Sequence, residues 1–153
     1  MRVLVPAVLL ALACTPTRTP PPPSVVRPAT HVDAPVDRTW NITVQRMATA
    51  GVTIKTIERA SGVIATEDMS MQPQQLFFFD CGTDGRGKRI EAQLGRFNVY
   101  VTGDSTASTI KVTASYRTAV VEGHALRTIQ CATTGRFESA FEAQVKVAAE
   151  HAH

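Results

Sequence analysis

The chain has 153 residues, with 16 basic against 13 acidic side chains, a formal charge of +3 at neutral pH and only 6% aromatic residues. That length suits one domain rather than several. The basic residues are scattered and the rings few, which argues against a nucleic-acid binder, whose charge clusters on one face among stacking aromatics.

The first element is a leader. Arg2 precedes the apolar run Val3-Leu4-Val5-Pro6-Ala7-Val8-Leu9-Leu10-Ala11-Leu12-Ala13, which is too short to span a bilayer. A charged start, a short greasy core and small residues at its end describe a secretory signal peptide over residues 1–13. Leu10-Ala11-Leu12-Ala13-Cys14 resembles the lipobox of bacterial lipoproteins, with Ala11 standing where Leu is usual. The resemblance implies cleavage before Cys14 and a lipid on that cysteine, tethering the mature chain to a membrane. Ordinary secretion with a coincidental cysteine is the competing reading.

Residues 14–33 read as a linker. Thr15-Pro16-Thr17-Arg18-Thr19-Pro20-Pro21-Pro22-Pro23-Ser24 has almost nothing to bury and favours an extended polyproline conformation. At about 3.1 Å per residue, it could hold the folded part up to roughly 60 Å from the lipid. A proline-rich recognition motif is the alternative.

A single domain is expected over residues 34–150. Val36, Trp40, Val44 and Met47 form one stripe of an amphipathic helix, with Asp33 as cap, Pro35 in the first turn and Gly51 as the left-handed stop. From Val52 to Glu58 the period changes to two, predicting a strand. Arg59-Ala60-Ser61-Gly62 turns into a second strand from Val63 to Glu67. Asp68 to Gln75 reads as a loop, and Leu76 to Cys81 as a strand buried on both faces.

Two longer strands follow. Ile90, Ala92 and Leu94 share a face with Phe97, Val99 and Val101 if a bulge at Gly95-Arg96 restores register. After the turn Gly103-Asp104-Ser105-Thr106, Ile110, Val112, Ala114 and Tyr116 point inward, with Thr109, Lys111, Thr113, Ser115 and Arg117 outward. Thr128 to Cys131 suggests a short edge strand. A second helix starts near Thr134-Gly135 with the stripe Phe137, Phe141, Val145 and Ala148, and Glu138 in its first turn favours the helix dipole. The fold class is α+β: about five antiparallel strands covered on one face by an N-terminal and a C-terminal helix.

With Cys14 assigned to the lipobox, Cys81 and Cys131 remain as an even pair in an oxidising compartment. A disulfide is expected; two buried thiols, or a reactive cysteine, are the competing readings. Trp40, then Gly51-Val52-Thr53-Ile54, then Ala60-Ser61-Gly62-Val63-Ile64-Ala65-Thr66 resembles the NlpB/BamC type of small envelope lipoprotein. That resemblance covers Trp40 to Thr66. It implies a small α/β fold without catalytic residues and an accessory role in outer-membrane β-barrel assembly.

Candidate chemistry is sparse. Gly82-Thr83-Asp84-Gly85-Arg86-Gly87-Lys88 matches the phosphate-loop spacing, yet Arg89 stands where Ser or Thr would bind magnesium, and a strand rather than a helix follows. A basic hairpin loop, with Arg86, Lys88 and Arg89 as a possible interaction surface, is the better reading. A Cys81–His124–Asp80 nucleophile needs a free thiol, and a metal site at His151 and His153 needs further ligands. Glu58, Glu67, Asp68 and Glu91 are not grouped as a carboxylate pair. No catalytic residue, metal or cofactor is expected. The expected function is therefore a non-enzymatic, lipid-anchored module of the bacterial envelope, at the outer membrane facing the periplasm, that binds an envelope protein and no nucleic acid. The alternative is a carrier of small hydrophobic ligands, its pocket lined by Phe77, Phe79, Phe97 and Tyr116. A cavity of roughly 300 Å³ or more under the helices would favour it.

Overall fold

In the computed structural model, residues 19–83 and 89–151 are described. The signal peptide and the lipobox with Cys14 lie outside the described residues, as do Arg86 and Lys88 of the basic loop. Strand β1 (Thr30–Val32), within the span read as linker, pairs antiparallel with Ser108 to Ile110 and buries Val32. The sheet therefore begins before position 34.

Helix α1 (Val36–Thr49) buries Trp40 and Met47, as its stripe predicts, with Val36 and Val44 partly buried. Thr39 and Thr43 are buried too. The Thr43 hydroxyl donates to the Thr39 carbonyl at 2.7 Å, and the Ser108 hydroxyl donates to the Ala34 carbonyl at 2.9 Å. Ser108 has one proton to give, so Thr39 donates to it at 2.7 Å. Asp33 does not cap α1. Pro35 holds the cap position, the Val36 N–H is taken by the Asp104 carbonyl at 2.9 Å, and Asp33 faces His31 instead. Gly51, at φ +66°, ends the helix as expected.

The hairpin of β2 (Ile54–Glu58) and β3 (Val63–Thr66) turns at Gly62. Strand β4 (Met69–Ser70) occupies part of the expected loop. The run Leu76 to Cys81 is not a strand buried on both faces. A 3-10 helix spans Pro73–Phe78, with Pro73 in its first turn and Gln72 and Gln75 capping it reciprocally, which leaves Leu76 and Phe77 exposed. Only β5 (Phe79–Asp80) remains extended, paired with β8 (Ala125–Thr133).

The long hairpin of β6 (Arg89–Gly103) and β7 (Ser108–Glu122) forms the centre of an antiparallel sheet of eight strands, not five. Its order is β2-β3-β6-β7-β8-β5, with β1 added to β7 and β4 to β6. The bulge lies between Ile90 and Ala92, not at Gly95-Arg96, and pairing runs without slip from Ala92 to Gly103. Leu94 therefore faces away from Phe97, and Ile90 is exposed. Gly95 itself faces inward opposite Tyr116, where a Cβ would come within 2.9 Å of the ring. A missing side chain, rather than a bulge, is what this glycine contributes.

Helix α2 (Arg136–His151) brings Val145 and Ala149 into one buried cluster with Trp40 and Met47 of α1 and with Ile64, Val99, Val101 and Ile110 of the sheet. Each of the larger aliphatic side chains among them contributes about 1.5–3 kcal/mol by leaving water. Phe137 and Phe141 pack on Phe97, with ring centroids 4.8 and 5.9 Å away. Ala148, expected in the stripe, is half-buried, and Ala149 takes its place.

Candidate functional site

Of the four side chains expected to line a carrier pocket, Phe77 lies at the surface, 53% exposed. The others are packed: Phe79 stacks on Tyr116 at 4.7 Å, and Phe97 meets the rings of α2. The cavity left between Met69, Met71, Phe78, Phe97, Tyr116 and Phe137 measures about 40 Å³. That is little more than one water's share of liquid volume. Burial, and then the charge of Glu138, push the Tyr116 phenol well above its ordinary range.

The outward sheet face is different in kind. Arg96 stands opposite Ser115, Asn98 opposite Thr113 and Tyr100 opposite Lys111, while the Thr102 and Thr109 hydroxyls meet at 2.9 Å. Lys55, Arg96, Thr113 and Ser115 are exposed, around an open depression of about 340 Å³. Arg117 is engaged by Asp68 at 2.7 Å. Among the described residues, no carboxylate pairs with Lys55, Arg96 or Lys111. The row thus offers net positive charge among neutral hydroxyl and amide groups.

The sequence pattern did not signal the second region, because it consists of buried glutamates. β7 pairs with β1 up to Ile110 and with β8 from Tyr116, leaving residues 111–115 without a strand on that edge among the described residues. Glu142 fills part of this gap: one oxygen accepts the Val112 N–H at 2.8 Å, and the other accepts the Thr30 hydroxyl at 2.7 Å. Glu138, one turn earlier, accepts the Thr133 hydroxyl at 2.6 Å. A cavity of about 180 Å³ adjoins it, under the chain segment of residues 24–27. The Val25 N–H holds that segment to the Thr133 carbonyl at 3.1 Å.

The remaining candidates are dispersed. Arg89 opens β6, and its guanidinium pairs with Glu91. Cys81 and Cys131 are joined by a disulfide, their Cα atoms 4.1 Å apart, so neither sulfur is a free nucleophile here. His124 sits in the turn between β7 and β8, and Asp80 accepts the Gly82 N–H at 2.7 Å. Among the described residues, no group of three or more His, Cys, Asp or Glu could hold a metal ion, and no helix is long and apolar enough to cross a membrane. The chain matches no protein-family model, and no curated protein matches it.

Proposed function

We propose that this chain is a lipid-anchored, non-enzymatic module of the bacterial envelope that presents the outward face of its sheet to an acidic protein surface. Cys14 carries the lipid, at the outer membrane facing the periplasm. In this reading α1 and α2 cover one face of the sheet and leave the other for the partner. The observation that carries it is the contrast between the two faces. The cavity among the aromatic rings measures about 40 Å³, whereas the outward side exposes cations that pair with no carboxylate among the described residues. Such a surface steers and orients an oppositely charged partner more than it supplies raw affinity. The small aromatic cavity weighs against the carrier of hydrophobic ligands.

The test is crosslinking in intact cells from a photoreactive residue at Ser115. A discrete protein adduct is expected, lost when Lys55 and Arg96 are both changed to Glu and depleted when Cys14→Ala removes the tether. Adducts indifferent to both changes would refute the binding face. Retention of Cys14→Ala in the membrane fraction would refute the anchor.

A further inference from the structure

Glu138 is 3% exposed, and its Oε2 has no hydrogen-bond partner among the described residues. Buried carboxylates normally have their oxygens occupied, because a desolvated charge without a donor is costly. Glu142 shows the completed arrangement on the same helix face, with both oxygens engaged. Glu138 is the incomplete counterpart, and it borders the cavity of about 180 Å³. At roughly 30 Å³ per water molecule, that space takes a short chain of heavy atoms. Its walls include Val25, Val112 and Ala114.

The floor supplies further acceptors. The Val112 N–H points at the gap edge of β7, where Glu142 meets it. A residue's N–H and C=O leave a strand on the same side, and residues two apart agree, so the carbonyls of Val112 and Ala114 face the gap as well, together with the single donor of the Ala114 N–H. A free carboxylate oxygen and two carbonyls suit a group that has three donors and no acceptor, which describes a primary ammonium. Arg27 and Lys111 also border the cavity. Arg27 is exposed and Lys111 belongs to the outward row, so water screens both charges, while the Glu138 carboxylate is desolvated.

We propose that the cavity under residues 24–27 binds a primary alkylammonium group, with Glu138 as its counter-ion. The group could belong to a free amine or to a lysine side chain of a bound protein. This inference does not depend on the function proposed above.

The experiment titrates n-butylammonium chloride into the full, isotope-labelled chain while following the amide signals of Val112 to Ala114. n-Butanol serves as the uncharged control and Nα-acetyl-lysine amide as the side-chain arm. Saturable shifts with the ammonium are expected in the millimolar range, with Glu138→Gln weakening binding about tenfold through loss of a charge-assisted bond. Binding of the lysine derivative as well points to a protein side chain, and its failure points to a free amine. Val25→Trp, which fills the cavity without touching the carboxylate, should abolish binding even if Glu138→Gln misfolds. Equal shifts with butanol, no saturation, or undiminished binding in the Val25→Trp variant would overturn the proposal.

Discussion

Asp104 shows how much one exposed carboxylate can organise. It accepts the Thr106 hydroxyl at 2.6 Å, the Thr106 N–H at 2.7 Å and the Ala107 N–H at 3.1 Å, which together hold its carboxyl down to about 2. An unfolded Asp titrates near 3.9, so the folded group binds its proton less readily. Its contribution to stability is complete above about pH 4 and is lost as pH falls through about 2. The amide signals of Thr106 and Ala107 should therefore titrate near pH 2, and Asp104→Asn should abolish that step; a midpoint near 4 would contradict the geometry. Glu142 acts at the same scale inside the protein. Removing it strands the Val112 N–H and the Thr30 hydroxyl, so Glu142→Ala should cost about 3 kcal/mol in urea denaturation. Glu142→Gln keeps an acceptor for Val112 and should lose clearly less.

The β2–β3 hairpin depends on a glycine that no other residue can replace without movement. Gly62 lies at φ +69°, and a Cβ built there would stand 2.1 Å from the Val101 carbonyl oxygen. Its own carbonyl accepts the Val101 N–H at 2.8 Å, so backing away would break that bond. Gly62→Ala should destabilise by about 2 kcal/mol, with amide exchange protection lost first across β2 and β3. Gly123 is the control: its φ is also positive, at +62°, but nothing stands within 4 Å of a Cβ, so only the local conformational cost of about 1 kcal/mol applies. A larger loss at Gly123 than at Gly62 would contradict the argument. Elements with a strong period were legible in the sequence: Trp40 and Met47 gave away α1, and the alternation from Thr109 to Arg117 gave away β7. Two kinds of element were not. Leu76-Phe77-Phe78 has the hydrophobicity of a buried strand, but the flanking Gln72-Pro73 and Gln75 cap a 3-10 helix there. The inward-facing Gly95 looked like a bulge because a glycine's absent side chain carries no periodicity.

At the scale of the molecule, the outward basic row could be read from the strand alternation, whereas the Glu138 cavity could not. An apolar count scores a buried glutamate as solvent-facing, and nothing in the sequence places it beside a gap between β1 and β8. The cysteines sit between these cases, since their even number suggested a pair but not what the pair fastens. The bond joins the end of β5 to β8, and its two ends are 50 residues apart in the chain. That span contains the whole β6–β7 hairpin, which supplies Phe97, Val99, Val101, Ile110 and Val112 to the main buried cluster, while α1, β1, β3 and α2 add to the cluster from outside it. Neither cysteine belongs to that cluster, so the bridge should stabilise by restricting the unfolded chain rather than by building the core. For a loop of this length the entropic model gives about 4 kcal/mol. Changing both Cys81 and Cys131 to Ala should lower the urea midpoint accordingly while leaving the circular dichroism spectrum of the folded state unchanged. Because Thr19 pairs with Thr83, two residues beyond Cys81, the same change should also quicken proteolysis near residues 19–27. A double variant as stable as the parent, or one that loses its secondary structure outright, would show that the bridge does something other than tether a fold already built.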